Sequence, residues 1–149
     1  MHACLKWFGF IILMLGLSSF FSGQDEKKYP YTVYLSCNET LQGFLSKQVF
    51  DSVIQYPLCA KDSLKQTYQV QSFDMTYAER GLYQDSSGLP IVFTDYSQAQ
   101  FTGNQFSPQW IRSFRERSYR GDTVYIENVK VLGPDNKSHA CKGLKVIIR

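Results

Sequence analysis

The chain has few of the residues that most enzymes use for chemistry. It contains two histidines, and only His139 lies beyond the N-terminal segment. Carboxylates such as Asp74, Asp85 and Asp95 are scattered singly, in places where turn geometry often selects aspartate. No glycine-rich phosphate loop follows an expected strand. We therefore predict that the protein is not an enzyme and has no catalytic or cofactor-binding residues.

One cysteine–histidine pair is a candidate for nucleophilic catalysis. His139 and Cys141 are close in the sequence, so a nucleophilic cysteine activated by histidine is conceivable. The simpler interpretation is a solvated turn histidine beside a structural cysteine. A zinc site needs four ligands at known spacing, and Cys37, Cys59, His139 and Cys141 do not show it. We predict no metal site.

Long apolar runs are also missing, apart from one near the N-terminus. The run Trp7–Leu17 is too short to span a bilayer comfortably, and small residues followed by Asp25-Glu26-Lys27-Lys28 come after it. This layout is typical of a secretory signal peptide, predicted over residues 1–23. An uncleaved N-terminal anchor is the alternative, and cleavage after Ser18 fits the small residues better than cleavage before Gln24, which would place Phe21 close to the cut. We expect export to the periplasm or cell envelope, with no stable membrane span after cleavage.

The net charge is small. It is +3 for the whole chain and falls to +2 without Lys6, the one charged residue of the predicted signal peptide. Nucleic-acid binding usually needs a strongly basic surface. We therefore expect no nucleic-acid partner, and the sequence does not fix an oligomeric state.

Three cysteines, Cys37, Cys59 and Cys141, follow the predicted signal peptide. An oxidising compartment favours one disulfide and one free thiol, and three pairings are possible. We favour Cys37–Cys59 because it closes a short local loop, which leaves Cys141 free. Three buried thiols without a disulfide are the alternative.

The remaining chain shows mainly strand patterns. Residues 24–40 form a polar lead-in and a first strand at 31–37, and residues 41–149 form a β domain. Further strands are expected at 67–77 and 91–94 and in the C-terminal segment. A bulge at Gln71-Ser72 and another at Glu127-Asn128 would reconcile shifts in side-chain alternation. The C-terminal segment is expected to contain two strands joined by the turn Gly133–Asn136.

Two helices interrupt the strands. Ser46 can cap one that ends before Pro57. Ser107 can cap the other, with Pro108 at its first position, and that helix is expected to extend to Arg120. The only cluster of like charge lies on the second helix, and arginine is favoured at interfaces. The candidate partner-binding residues are Arg112, Arg115, Arg117 and Arg120.

Several segments, read in order, resemble the C-terminal domain of the GldM/PorM family of gliding motility and type IX secretion. They are Gly43, Ser46-Lys47, Tyr68–Phe73 (YQVQSF), Gly103–Gln109 (GNQFSPQ), Gly121–Val131 and Gly133-Pro134-Asp135. The resemblance covers roughly residues 41–149.

The resemblance implies an immunoglobulin-like β-sandwich with one or two short helices. Family members carry a transmembrane helix and further domains before this one, so the chain would be a stand-alone exported copy. It also implies a non-enzymatic protein-interaction module of the bacterial cell envelope, whose partner would be an envelope protein. A small secreted ligand- or carbohydrate-binding sandwich, with tyrosines as stacking surfaces, is the alternative.

Overall fold

The computed structural model describes residues 29–149, so the predicted signal peptide lies outside the described part. This part contains eight strands, two α-helices and a 3-10 turn at Leu35–Cys37. The strands are β1 Tyr31–Tyr34, β2 Gly43–Leu45, β3 Cys59–Lys61, β4 Thr67–Gln84, β5 Pro90–Thr102, β6 Thr123–Leu132, β7 Ser138–Lys142 and β8 Leu144–Ile148. The helices are α1 Lys47–Val53 and α2 Pro108–Arg117. The prediction of a mainly β protein with short helices is confirmed.

Five of the strands close into a barrel. Going round it, β6 pairs with β7, β7 with β1, β1 with β3, and β3 with β4, which pairs again with β6. The β1–β7 pair is parallel and the others are antiparallel. Because these pairings run continuously, the fold is a closed five-stranded barrel, and the predicted immunoglobulin-like sandwich is not confirmed.

Three strands extend the sheet beyond the barrel. β8 pairs with the first half of β6 and carries β2 on its outer side. β5 pairs with β4 from Ser72–Thr102 to Gln84–Pro90. The β4–β6 pairing ends at Ala78–Thr123, so the β4–β5 hairpin continues past the end of the barrel.

Aromatic side chains fill the centre of the core. Phe114 of α2 is fully buried and meets the rings of Phe50 at 5.4 Å and Tyr77 at 5.2 Å, both nearly perpendicular to it. Edge-to-face contacts of this kind add to the stabilisation from burial. Trp110 and Ile111 are only half-buried, because α2 lies along the core and presents Phe114 to its centre.

The helix boundaries follow their capping residues. The Ser46 hydroxyl accepts from Val49 N–H at 3.3 Å, and the Ser107 hydroxyl accepts from Trp110 N–H at 3.4 Å. Both N-caps confirm the sequence interpretation. α2 ends at Arg117, three residues before the predicted end, so Arg120 lies in the turn that follows.

Both predicted bulges are present. The β4–β6 register shifts between Val70 and Asp74, and Asn128 adopts a left-handed φ of 50°. Because of this shift, the buried residues of β6 are the even-numbered Val124 and Ile126 before the bulge and the odd-numbered Val129 and Val131 after it.

The C-terminal segment has three strands, and the predicted pair missed β7. A glycine lets the chain turn from β7 to β8: a Cβ on Gly143 would lie 2.3 Å from the Ile126 carbonyl oxygen. The chain can therefore bend against β6 only where the side chain is absent.

The cysteine pairing is confirmed. Cys37 and Cys59 form a disulfide with their Cα atoms 5.2 Å apart, and Cys141 is free and buried. A disulfide is consistent with an oxidising compartment.

Gly143→Ala should destabilise the fold. The added methyl group would collide with the Ile126 carbonyl oxygen, so the two strands must separate locally. We expect the free energy of unfolding to fall by about 2 kcal/mol, the usual size for overpacking. Denaturant unfolding measures this, with Lys142→Ala, at an exposed neighbour, as the control. Equal stability of the two variants would contradict the tight contact.

Candidate interaction surface

The distal part of the β4–β5 hairpin is a two-stranded ribbon outside the barrel. Its pairs run from Glu79–Asp95 to Gln84–Pro90, and β4 has no other strand partner there among the described residues. An isolated hairpin is only marginally stable in water. The stability of the ribbon therefore depends on the contacts at its two ends.

The turn at its far end is well bonded. The Asp85 side chain accepts from Ser87 N–H and Leu89 N–H, both at 2.8 Å. Gly88 takes a left-handed φ of 77° and donates its N–H to the Asp85 carbonyl at 2.9 Å. This end is compact and polar.

A buried aspartate holds the near end, where β4 leaves the barrel. Asp122 is fully buried and accepts three hydrogen bonds: Tyr77 O–H at 2.6 Å, Tyr119 N–H at 2.7 Å and Arg80 N–H at 2.8 Å. Burial, followed by the hydrogen bond to Asp122, raises the pKa of Tyr77 well above its ordinary value. An ion pair between Glu79 and Arg117 joins the ribbon to α2.

Both faces of the ribbon carry exposed apolar side chains. One face, continuous with the core side of β4, carries Tyr83, Ile91 and Phe93, and Phe93 covers Gly81 so closely that a Cβ there would lie 2.4 Å from its ring. The opposite face pairs Leu82 with Val92. Leu82 is 78% exposed, Val92 54% and Phe93 48%. Contiguous apolar exposure of this kind marks interaction sites in soluble proteins.

The outer edge of β5 is open. At the two ends of the hairpin, the Gly103 N–H donates to the Gln71 carbonyl and the Asp85 N–H donates to the Leu89 carbonyl. All four residues are odd-numbered, so the backbone hydrogen bonds between β4 and β5 join odd-numbered residues. Because the bonds of an antiparallel ladder alternate, even-numbered residues of β5 direct their backbone groups outward. The Tyr96 N–H accordingly bonds the Asp95 side chain at 2.9 Å.

The four candidate arginines do not form one cluster. Arg112 and Arg115 line a shallow cavity of ≈ 410 Å³ beside Gln55, and Arg115 donates to the Gln55 side chain at 3.0 Å. Arg117 lies on the ribbon side of α2, paired with Glu79. Arg120 is exposed in the turn. Their role in partner binding stays a prediction.

The cysteine–histidine pair is not assembled for nucleophilic chemistry. The Cys141 thiol lies 3.5 Å from the Lys142 carbonyl, and His139 Nε2 lies 2.8 Å from the Asp135 side chain. Burial raises the pKa of the Cys141 thiol to about 12, so the thiolate that would attack is scarce at neutral pH. The prediction that the chain is not an enzyme remains untested as such.

A polar groove of ≈ 880 Å³ lies beside the bulges of β4 and β6. In it the Asn128 amide donates to Asp74 at 2.8 Å, and the Lys145 ammonium lies 5.3 Å above the ring of Tyr125. Lys145 therefore occupies one face of the tyrosine that a sugar ring would use for stacking.

Two absences concern residues 29–149 alone. No helix in this range is both long and apolar enough to cross a membrane. In the same range, no group of three histidine, cysteine, aspartate or glutamate side chains could hold a metal ion.

Comparison with models of protein families gives no match, and comparison with curated proteins gives no significant match. The resemblance of residues 41–149 to the GldM/PorM C-terminal domain therefore stays a prediction.

Removing the buried carboxyl group should weaken the whole fold. Asp122→Ala leaves the Tyr77 hydroxyl and two backbone N–H groups without their acceptor. We expect a loss of about 4 kcal/mol in the free energy of unfolding, against about 2 kcal/mol for Tyr77→Phe, which removes one bond. Denaturant unfolding of the purified variants measures both, and a smaller loss for Asp122→Ala than for Tyr77→Phe would contradict this network.

Cys141 should resist alkylation in the folded protein. At about pH 8 its raised pKa leaves roughly one thiol in ten thousand as thiolate, and the side chain is buried. Mass spectrometry after iodoacetamide treatment should find Cys141 unmodified until the protein is unfolded. An added cysteine at Leu64→Cys, in an exposed turn, is the control and should react at once. Equal rates would revive the nucleophile interpretation.

Proposed function

We propose that this chain is an exported, non-enzymatic protein-interaction module of the bacterial cell envelope, and that the β4–β5 ribbon is its contact surface. The observation that supports this is the ribbon with apolar side chains on both faces, held away from the barrel. The Cys37–Cys59 disulfide fits an oxidising compartment.

A protein partner fits this surface better than a small molecule. The ribbon extends past the end of the barrel and exposes apolar side chains on both faces, whereas small-molecule sites are concave. A partner could pack side chains against Leu82 and Val92 on one face, or Ile91 and Phe93 on the other. Arg120, in the turn after α2, would add a charged contact at the near end of the ribbon, whereas Arg112 and Arg115 lie beside Gln55 and would serve a separate contact.

The link to gliding motility and type IX secretion, and the immunoglobulin-like arrangement, are carried by the resemblance of residues 41–149 alone. We keep both as part of the proposal. The ribbon argument does not depend on either, because it rests on exposure and pairing within this chain.

A secreted ligand- or carbohydrate-binding protein is the second candidate. The polar groove with Asp74, Asn128 and Tyr125 favours it, since such residues can bond sugar hydroxyl groups. The Lys145 ammonium over Tyr125 counts against stacking there. We therefore rank this function below protein interaction.

Crosslinking in the source cells tests the proposal. A photoreactive residue at Leu89, on the ribbon, should crosslink to an envelope protein that mass spectrometry identifies. The same residue at Lys142, exposed on β7, is the control and should not capture that protein. Purified partner should then bind the Leu82→Ser/Val92→Ser variant at least tenfold more weakly than wild type, because two apolar contacts are lost.

Leu64→Ser is the matched control for binding, since Leu64 is 77% exposed in a turn away from the ribbon. Unchanged affinity of the ribbon variant, or equal weakening by Leu64→Ser, would overturn the ribbon as the contact surface. The same proteins captured from Leu89 and Lys142 would overturn specific interaction.

A further inference from the structure

The outer edge of β5 has few of the devices that normally prevent strands from pairing between molecules. Edge strands are usually short, bulged or charged, often by lysine. β5 has thirteen residues, and its register with β4 shows no shift. Its only charged residue is Asp95, and its only proline, Pro90, is at its first position.

The other edge of the sheet, formed by β2, is better protected against pairing than β5. β2 has three residues, and the Arg149 guanidinium lies 3.8 Å from the centre of the Phe44 ring. That edge is short and guarded by a cation. β5 is long, and its one charged side chain, Asp95, accepts from the outward Tyr96 N–H at 2.9 Å, so pairing at Tyr96 requires Asp95 to release that N–H to the second copy.

We propose that the β5 edge pairs with the β5 edge of a second copy of this chain. The two strands would run antiparallel about a twofold axis at Tyr96, joining two sheets through their outward backbone groups. This self-pairing rests on the proposed function, because it assigns a second copy of the chain as one partner of the same ribbon.

The side chains of β5 complement themselves in this register. On the core-side face, Ile91 would lie opposite Phe101 of the second copy, and Phe93 opposite Ala99. Asp95 would lie opposite Ser97, whose hydroxyl can donate to it. On the other face, Tyr96 would meet its own copy, and aromatic cross-strand pairs are favourable.

Neighbouring registers are less favourable. A slip that moves the twofold axis to Asp95 sets two carboxylates directly opposite each other, which is destabilising. A slip that moves the axis to Ser97 puts Asp95 opposite Ala99, which has no donor. Asp95 therefore selects the register at Tyr96.

A lipid surface suits the ribbon less well than a second copy. Apart from the exposed Leu89, the far end of the ribbon is polar, and the Asp85 side chain there is held in the turn by two backbone N–H groups. Inserting the apolar side chains behind it would carry Asp85 into the membrane first, and a buried carboxyl group is costly.

Charge placement tests the pairing and its register together. Thr94 would lie opposite Gln98 of the second copy, and both side chains are exposed on the face of Tyr96. The wild type should show twice the mass of one chain by light scattering. Thr94→Lys/Gln98→Lys should show the mass of one chain, and mixing it with Thr94→Glu/Gln98→Glu should restore the doubled mass.

Cysteine substitution tests the axis. Tyr96→Cys should form a disulfide between copies under mild oxidation, because Cα atoms of a bonded antiparallel pair are about 5.5 Å apart. Gln98→Cys is the matched control: its two copies would be displaced by about 13 Å along the strands and should not crosslink. The circular dichroism spectrum of every variant should match that of the wild type, which shows that the fold of each chain is intact.

A wild type with the mass of one chain overturns self-pairing, and so does a doubled mass that persists in the lysine variant. Crosslinking through Gln98→Cys with none through Tyr96→Cys overturns the register. Flotation of monomeric wild type with vesicles of anionic and neutral lipids, lost in Leu82→Ser/Val92→Ser, would assign the ribbon to a lipid surface and reject the second copy.

These experiments distinguish a failure of self-pairing from a failure of the proposed function. A monomer that still binds an identified envelope protein through Leu82 and Val92 rejects the second copy and keeps the interaction module. A dimer with no envelope partner supports self-pairing and rejects docking of another protein at the ribbon faces.

Discussion

The hydrogen bonds to Asp122 are the constraint on which the placement of the hairpin depends. One buried side chain bonds β4 twice, through Tyr77 and Arg80, and bonds the segment after α2 through Tyr119. Its carbonyl accepts from Ile148 N–H of β8 at 2.9 Å. Three parts of the chain, β4, the segment between α2 and β6, and β8, therefore meet at the point where β4 loses β6 as a partner. Since an unsatisfied buried donor is expensive, the backbone there has one well-determined path. The ribbon leaves the barrel in a fixed direction for this reason.

A two-stranded ribbon with exposed apolar side chains on both faces would be unstable in isolation, and contacts with the rest of the chain hold it in place. Its near end is fixed by Asp122 and by the Glu79–Arg117 pair, and its far end by the Asp85 turn. The side chains between these ends gain little burial within the chain, with Leu82 and Val92 largely exposed. Their apolar surface does not serve the stability of the monomer. It is available for binding, where burying it would be favourable.

The sequence predicted the parts of the fold whose signals are local. Ser46 and Ser107 are caps that act within one helical turn, and both bulges appear as shifts in alternation. The ribbon was missed because alternation reveals a strand only when one face is buried. In Ile91-Val92-Phe93 both faces are exposed and both are apolar, so alternation gave no signal. The predicted strand at 91–94 stopped at the first polar residues, although the strand continues to Thr102. The role of Asp122 has no local signal in the segment Gly121–Val131, because Tyr77 and Arg80, two of the three groups that bond its side chain, are more than forty residues away.

The faces and the edge of the ribbon have different chemical properties. An edge binds through backbone groups, which gives affinity with little sequence discrimination. On β5, discrimination has to come from the few side chains that a neighbouring strand would meet, and Asp95 is the only charged one. The faces bind through side chains, so Leu82 and Val92 can select a partner by shape. Because these surfaces are perpendicular to each other, one ribbon can pair along its edge while its faces remain open to a different protein.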